Sequence, residues 1–506
     1  MLSIAWMAYW TVLAILGLYG GHRLFLTVQC RRCPSSVADR PPSPSPSDEL
    51  PMVTVQLPLY NERYVAERLI DAVAALDWPR TRLEIQILDD STDDTTARCQ
   101  ARAAGLRAAG YTVELLHRSE RKGYKAGALE AGLGRARGEL VLILDADFVP
   151  PVELLRHTIG YFSDPDVALV QVRWDHLNRE ASTLTRVQAL ILDGHFAVEQ
   201  KARHATGRYF NFNGTAGIWR REAVEQAGGW HHDTLTEDLD LSYRALLAGW
   251  RFVYLTHTAA PAELPMGVTA FKSQQFRWAK GSIQVARKLL PRVLRAPVST
   301  RIKLEAFFHL TQNLPYLATL ALVLLYVPAL ILRPSSAVEA LALHVPSLGL
   351  AAITLGVYCT TSQRVLGRGS WRALTRLPAL IAITVGICVN QSRAVIEGAL
   401  GHRSPFVRTP KCGVISRQAL RSEANTEHSG RSKPTGTARR GVRRKLAGLP
   451  YRGLRDLTPI AEIALAMYFA AFAGLAAVDG RWSVIPVLLL FCAGFAYVGA
   501  LSALRR

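Results

Sequence analysis

The sequence is short of acid: across 506 residues, 40 Asp and Glu face 60 Lys and Arg, leaving a formal charge of +20. It has no Gly-x-x-x-x-Gly-Lys-[Ser/Thr] run, which excludes a P-loop phosphate cradle. Its single Cys-x-x-Cys, Cys30-Arg-Arg-Cys33, has no second pair, so the spacing gives no basis for a structural zinc. No stacking or helix-turn-helix pattern accompanies the basic excess, which argues against nucleic acid as its partner. No basic residue precedes the first apolar run, so a cleaved signal peptide is not expected there. What the chain does have is apolar content, 49% of residues, with a mean hydropathy of +0.12. Disorder of the whole is excluded, and the length allows more than one domain.

The apolar and basic residues are segregated. Residues 1–29 read as a retained transmembrane helix, with Arg23, Arg31 and Arg32 following the uncharged run. Residues 30–50 form a linker, rich in Pro and Ser from Pro34 on. From 51 to 300 no run approaches the ~20 residues that span hydrocarbon, so these residues are expected to form one soluble domain. Further apolar stretches lie near 309–332, 341–361, 374–396, 458–477 and 484–502. Between 374–396 and 458–477, residues 401–457 carry 14 Lys and Arg against 3 Asp and Glu, and should stay on the cytoplasmic side. That requires one stretch in 301–400 not to cross. The weakest is 374–396, interrupted by Pro378 and ending in Asn390-Gln-Ser-Arg393, which reads as interfacial or partly inserted. Five spans then remain, with the soluble domain inside, the N-terminus outside and 458–506 as a closing hairpin; six plain spans are the alternative. Anionic phospholipid is the expected partner of the basic loop.

Within 51–300, Met52–Leu57 and Glu84–Leu88 read as strands flanking a helix from Val65 to Leu76, which implies a right-handed crossover and a parallel sheet. A third strand, Glu139–Leu144, is apolar enough to sit at the centre. All three end in polar residues: Tyr60-Asn61-Glu62, Asp89-Asp90 and Asp145-Ala-Asp147. Ligands of open α/β sheets bind beyond the carboxyl ends of strands, so this edge is the candidate site. Asp145 and Asp147 offer oxygen to a hard divalent cation, Mg²⁺ or Mn²⁺, with a diphosphate completing its shell. Thr236-Glu237-Asp238, at an expected helix start, supplies a carboxylate that could deprotonate a hydroxyl.

These motifs, in order, resemble the inverting family-two glycosyltransferases, specifically the cellulose synthase and cellulose-synthase-like branch. The resemblance rests on Leu57-Pro-Leu-Tyr-Asn-Glu62, Asp89-Asp-Ser91, Gly123-Tyr-Lys-Ala-Gly-Ala-Leu129, Asp145-Ala-Asp147, Phe212-Asn-Gly-Thr-Ala-Gly217, Thr236-Glu-Asp238 and Gln274-Gln-Phe-Arg-Trp278. It implies a GT-A (Rossmann-like) α/β domain joined to an α-helical transmembrane bundle, and a nucleotide-diphosphate sugar donor, UDP-glucose or GDP-mannose. Tyr60, Glu62, Asp89 and Asp90 would hold base and ribose, Lys125 would meet the phosphates, and Asp145 with Asp147 would bind diphosphate and metal. Asp238 would be the general base. Gln274, Arg277 and Trp278, on an interfacial helix over 270–290, would bind the acceptor end and diphosphate. Phe406-Val-Arg-Thr-Pro-Lys411 looks like the branch's gating loop, with Phe406, Thr409 and Lys411 closing over the site from 404–411. The closest resemblance is to the mannan and glucan synthases, and neither the regulatory cyclic-dinucleotide domain nor the plant zinc-finger region is visible.

The expected activity is transfer of hexose to a growing β-glycan with coupled extrusion. A non-processive enzyme acting on ceramide or diacylglycerol is the alternative. A non-catalytic receptor or transporter is disfavoured by the intact Asp147, Asp238, Arg277 and Trp278 set.

Overall fold

The computed structural model describes residues 2–33, 50–331, 349–402, 404, 408–409, 411, 413 and 457–504. The chain opens with helix α1 (Leu2–Arg32) and continues into a seven-stranded sheet. In chain order its elements are β1 (Val53–Leu59), α2 (Ala66–Ala74), β2 (Leu83–Asp89), α3 (Thr95–Ala108), β3 (Thr112–His117), α4 (Tyr124–Leu133) and β4 (Leu140–Ile143). They are followed by β5 (Val167–His176), α5 (Thr183–Gly194), β6 (Gly217–Arg220), α6 (Glu237–Leu247) and β7 (Arg251–Ala262). The spatial order is β3-β2-β1-β4-β6-β5-β7. The four strands β1–β4 are parallel, as the crossover predicts; β6 runs antiparallel to both β4 and β5, making the whole sheet mixed.

β1 extends through Pro58 to Leu59, beyond the end expected from the proline. Its pairing with β4 stops at Gln56, so the missing N–H of Pro58 falls where only β2 is a neighbour. The alternation Val53-Thr-Val-Gln-Leu57 resembles a half-exposed strand, yet all five residues are buried. The polar members pair across the sheet: Thr54 Oγ1 donates to Glu84 Oε2 at 2.6 Å, and Gln56 Nε2 to Gln86 Oε1 at 3.0 Å, while Gln56 Oε1 and Gln86 Nε2 stay buried without a partner.

After β7 comes α7 (Val268–Arg295), which carries the Gln274–Trp278 signature, followed by α8 (Thr300–Leu310), α9 (Pro315–Ile331), α10 (Leu350–Val365), α11 (Trp371–Gly386), α12 (Cys388–Leu400), α13 (Thr458–Val478) and α14 (Ile485–Ala503). Among the described residues three helical segments are long and apolar enough to cross a membrane: Met7–Arg32, Thr458–Val478 and Trp482–Ala503. Two more pairs pass only together, α8 with Pro315–Pro328 bent by 54° and α11 with α12 bent by 47°. The second pair is the stretch singled out by Pro378 and Asn390-Gln-Ser-Arg393. Its polar side chains reach back to other helices: Asn390 Nδ2 donates to Lys272 O at 3.1 Å, Gln391 Nε2 to Gln275 O at 3.2 Å, and Ser392 Oγ to Tyr316 O at 3.0 Å. Two ion pairs, the buried Lys272–Glu462 at 2.7 Å and the half-buried Lys280–Glu397 at 2.8 Å, whose lysine is buried, fasten α7 further. Breaking either pair would strand a buried charge, so α7 is held in one place relative to the helices around it. Residues 341–348, Phe406 and almost all of the basic loop lie outside the described residues.

Candidate active site

The carboxyl ends of β1, β2 and β4 meet the start of α6 and the middle of α7 around one cavity of about 200 Å³. Every site residue expected from the sequence lines it, except Asp89 and the undescribed Phe406. The backbone confirms that this edge is unusual. Among the described residues Asn61, Tyr124 and Ala216, with φ of 56°, 51° and 53°, are the non-glycine residues in the left-handed region, and each adjoins a cavity residue or lies two residues from one. Conformations of this kind cost on the order of 1–3 kcal/mol and gather at functional sites.

Asp89 and its neighbour Asp90 diverge. Asp89 is fully buried and accepts from Ser91 N at 3.0 Å, Thr96 Oγ1 at 2.6 Å and His117 Nδ1 at 2.9 Å. Burial opposes its charge, but these hydrogen bonds win and hold its carboxyl below the usual range. Asp90 lines the cavity, with Arg118 on both its oxygens at 2.7 and 2.6 Å. Arg121 lies 3.5 Å over the Tyr60 ring. Neither arginine stood out in the sequence; their only signal was a basic run, His117-Arg-Ser-Glu-Arg-Lys122, at the end of an edge strand.

Lys125 bridges the two halves of the site, donating to Asp145 Oδ1 at 2.5 Å and to Gly214 O at 2.7 Å. Burial would lower its ammonium, but Asp145, Glu237 and Asp238 raise it above its ordinary value. Gly214 has φ +82°, and a Cβ there would stand 3.1 Å from Asp238 Oδ2, so only glycine lets this loop pass the carboxylate. Asp238 sits in the first turn of α6, where Leu239 N donates to its Oδ1 at 2.8 Å. Burial, then the adjacent Glu237 charge, pushes its pKa up to about 7. Burial raises Glu237 too, against the pull of Lys125. A carboxylate poised near neutrality at the rim of a polar cavity is suited to take a proton from an attacking hydroxyl.

The described part of the 404–411 segment is docked into this cavity. Arg408 grips Glu62 through both oxygens at 2.8 and 2.5 Å, Lys411 Nζ meets Asp147 Oδ2 at 2.6 Å, and Thr409 Oγ1 accepts from Arg277 Nη2 at 2.8 Å. Burial raises the Glu62 carboxyl to about 7 in spite of Arg408. Asp145 and Asp147 thus each hold a lysine ammonium. Two carboxylates that draw in positive charge at such distances suit a hard cation, though as a pair they leave most of its shell to a diphosphate. Elsewhere His231, Asp233 and Asp240 could converge on an ion, but Lys288 already sits 2.8 Å from each of the two aspartates.

Comparison with known proteins agrees with this geometry. Residues 51–281 match the model of glycosyltransferase like family 2. The chain is 36% identical over 393 residues to glucomannan 4-beta-mannosyltransferase 1 of Oryza sativa subsp. japonica, spanning 75% of this chain and 73% of that protein. It is 44% identical over 258 residues to glucomannan 4-beta-mannosyltransferase 2 of Arabidopsis thaliana, spanning 49% and 48%. The fold is similar to a mannosyltransferase of Pyrobaculum calidifontis solved in complex with GDP-Man and Mn²⁺, with a TM-score of 0.54 at 20% identity, covering 78% of this chain and 100% of that one.

Proposed function

Because the chain belongs to glycosyltransferase family 2, in its cellulose-synthase-like branch, and is a nucleotide-sugar-dependent hexosyltransferase forming β linkages, we propose that it transfers mannose from GDP-mannose to the end of a β-glycan. The observation that carries the reading is the gathering of these groups around one cavity: the carboxylates at the strand ends and Lys125, Asp238, and Gln274, Arg277 and Trp278. The relatives in rice and Arabidopsis, named as mannosyltransferases, support mannose over glucose.

Asp238 would remove the acceptor hydroxyl proton as that oxygen attacks the anomeric carbon from the face opposite the leaving group. The bond from that carbon to the diphosphate breaks and GDP departs, inverting the configuration. Asp145 and Asp147 would hold a divalent cation with the diphosphate, and that ion would neutralise the leaving charge. Lys125 and Arg277 add fixed positive charge on the same side. Thr409 and Lys411 close the cavity against water, which keeps the donor from hydrolysis. Trp278 offers an indole face to a pyranose ring. Glu62, Tyr60 and Asp90 lie where base and ribose would be read, and Asp89 acts by fixing the loop from which Asp90 projects.

The apolar helices support a multi-pass arrangement; the charge of 401–457 favours the catalytic domain and basic loop inside, facing anionic lipid, and the glycan would leave through the bundle. Parallel incubations with labelled GDP-mannose and UDP-glucose test the donor. Label should enter polymer from GDP-mannose, and preferential use of UDP-glucose would overturn the assignment. Excess EDTA should abolish transfer and added Mn²⁺ or Mg²⁺ restore it; full activity in EDTA would remove the metal from the account.

A further inference from the structure

We propose that Trp174 forms a second sugar-stacking platform of the acceptor site, in the same cavity as the Trp278 signature. This rests on the reading of a glycan acceptor and goes beyond the signature residues, none of which lies on β5.

The cavity has two unlike walls. One is the acidic and basic donor edge. The other brings the end of β5 together with Leu192 of α5, Asn213, Leu264 and the Gln274–Trp278 turn of α7. Its composition, two indoles and apolar side chains edged by His176, Asn213 and Gln274, matches what a pyranose presents: apolar C–H faces and a rim of hydroxyls. Trp174 is half-buried, and its neighbour two residues on, His176, lies on the same face of the strand and lines the same cavity.

The indole of Trp174 packs against the apolar clusters on both sides of the sheet and also lines the cavity. Phe148, adjacent to Asp147, packs edge-on against it with centroids 5.4 Å apart, and Phe196 packs on it tilted by 36° at 5.0 Å. Its Nε1–H is buried with no hydrogen-bond partner, an unusual state for a tryptophan that keeps part of its ring exposed in a polar cavity. The location also suits a chain rather than a single sugar. Phe196 belongs to a π-helical segment, His195–Gln200, that packs on α1 and α10. This wall of the cavity is therefore the one nearest the membrane helices, where a growing glycan would have to pass. π-helical turns are rare and concentrate at functional sites.

The test is oligosaccharide binding to the full-length protein in detergent, titrating β-1,4-mannohexaose and cellohexaose into wild type, Trp174→Phe and Trp174→Ala, with GDP titrated separately into each. Wild type should bind one hexaose. Trp174→Ala should weaken that binding about tenfold and Trp174→Phe less, with GDP affinity unchanged within about twofold. Unchanged hexaose binding in Trp174→Ala would overturn the platform while leaving the glycan acceptor standing. Equal loss of hexaose and GDP affinity would overturn it as well, because Trp174 would then support the whole cavity. Binding of neither hexaose by wild type would overturn both the platform and the acceptor reading beneath it.

Discussion

Asp238→Asn is expected to lower turnover by about 10²–10⁴-fold, the range for a positioned general base, with donor affinity nearly intact. An amide cannot accept the proton of the attacking hydroxyl, while on the proposed reading the donor would be held by groups on β1, β2, β4 and Lys125. Steady-state rates beside direct GDP-mannose binding check this, and parallel loss of both would move Asp238 into the donor site. The pH profile follows from the same carboxyl. With a pKa of about 7, Asp238 is a competent base only when deprotonated, so kcat/KM should fall as pH drops below about 7. Glu237→Gln removes one of the two forces raising that value and should shift the limb towards lower pH. The stability sign runs oppositely. Because the folded carboxyl titrates above its ordinary 3.8, the native state binds more protons than the unfolded one, and stability is lost as pH rises from about 4 to about 7. Asp238→Asn should therefore raise Tm at pH 8, with the gain shrinking towards pH 4, as expected where a strained charge is kept for function.

Replacing Thr409 and Lys411 together by Ala should cut turnover at least about tenfold, the lower range for losing positioned contacts. Thr409 is tied to Arg277 and Lys411 to Asp147, so the segment spans from α7 to the carboxyl end of β4. Without it, water reaches the donor, and the ratio of GDP-mannose hydrolysis to transfer should rise. Neutralising Arg439, Arg440, Arg443 and Arg444 should instead alter lipid dependence and leave turnover in detergent unaffected. Equal loss of detergent activity in both variants would remove the division between lid and lipid-adhering loop.

Much of this site was legible because strand ends carry their chemistry in sequence order: Asp90, Asp145 and Asp147 each follow an apolar run, and Asp238 opens a helix. What was not legible depends on contacts between distant segments. Asp89 and Asp90 are adjacent and chemically identical, and only the arrival of His117 and Thr96 turns one inward while Arg118 clamps the other. Glu237 was in the motif, but its effect on Asp238 needs the burial that α7 and the Gly214 loop create. Asn390 and Gln391 looked like polar interruptions of an apolar helix; they are satisfied by backbone carbonyls of α7, a helix more than a hundred residues earlier. The reversal of β6 had no signal at all, since a strand as short as Gly217–Arg220 reads alike in either direction.

The most direct test of the central claim is the product itself. The purified full-length protein, given labelled GDP-mannose, a β-1,4-mannooligosaccharide and Mn²⁺, is predicted to lengthen the oligosaccharide by β-1,4-linked mannose that endo-β-mannanase releases. Label found only on lipid, or no transfer from GDP-mannose under conditions where UDP-glucose is used, would contradict it.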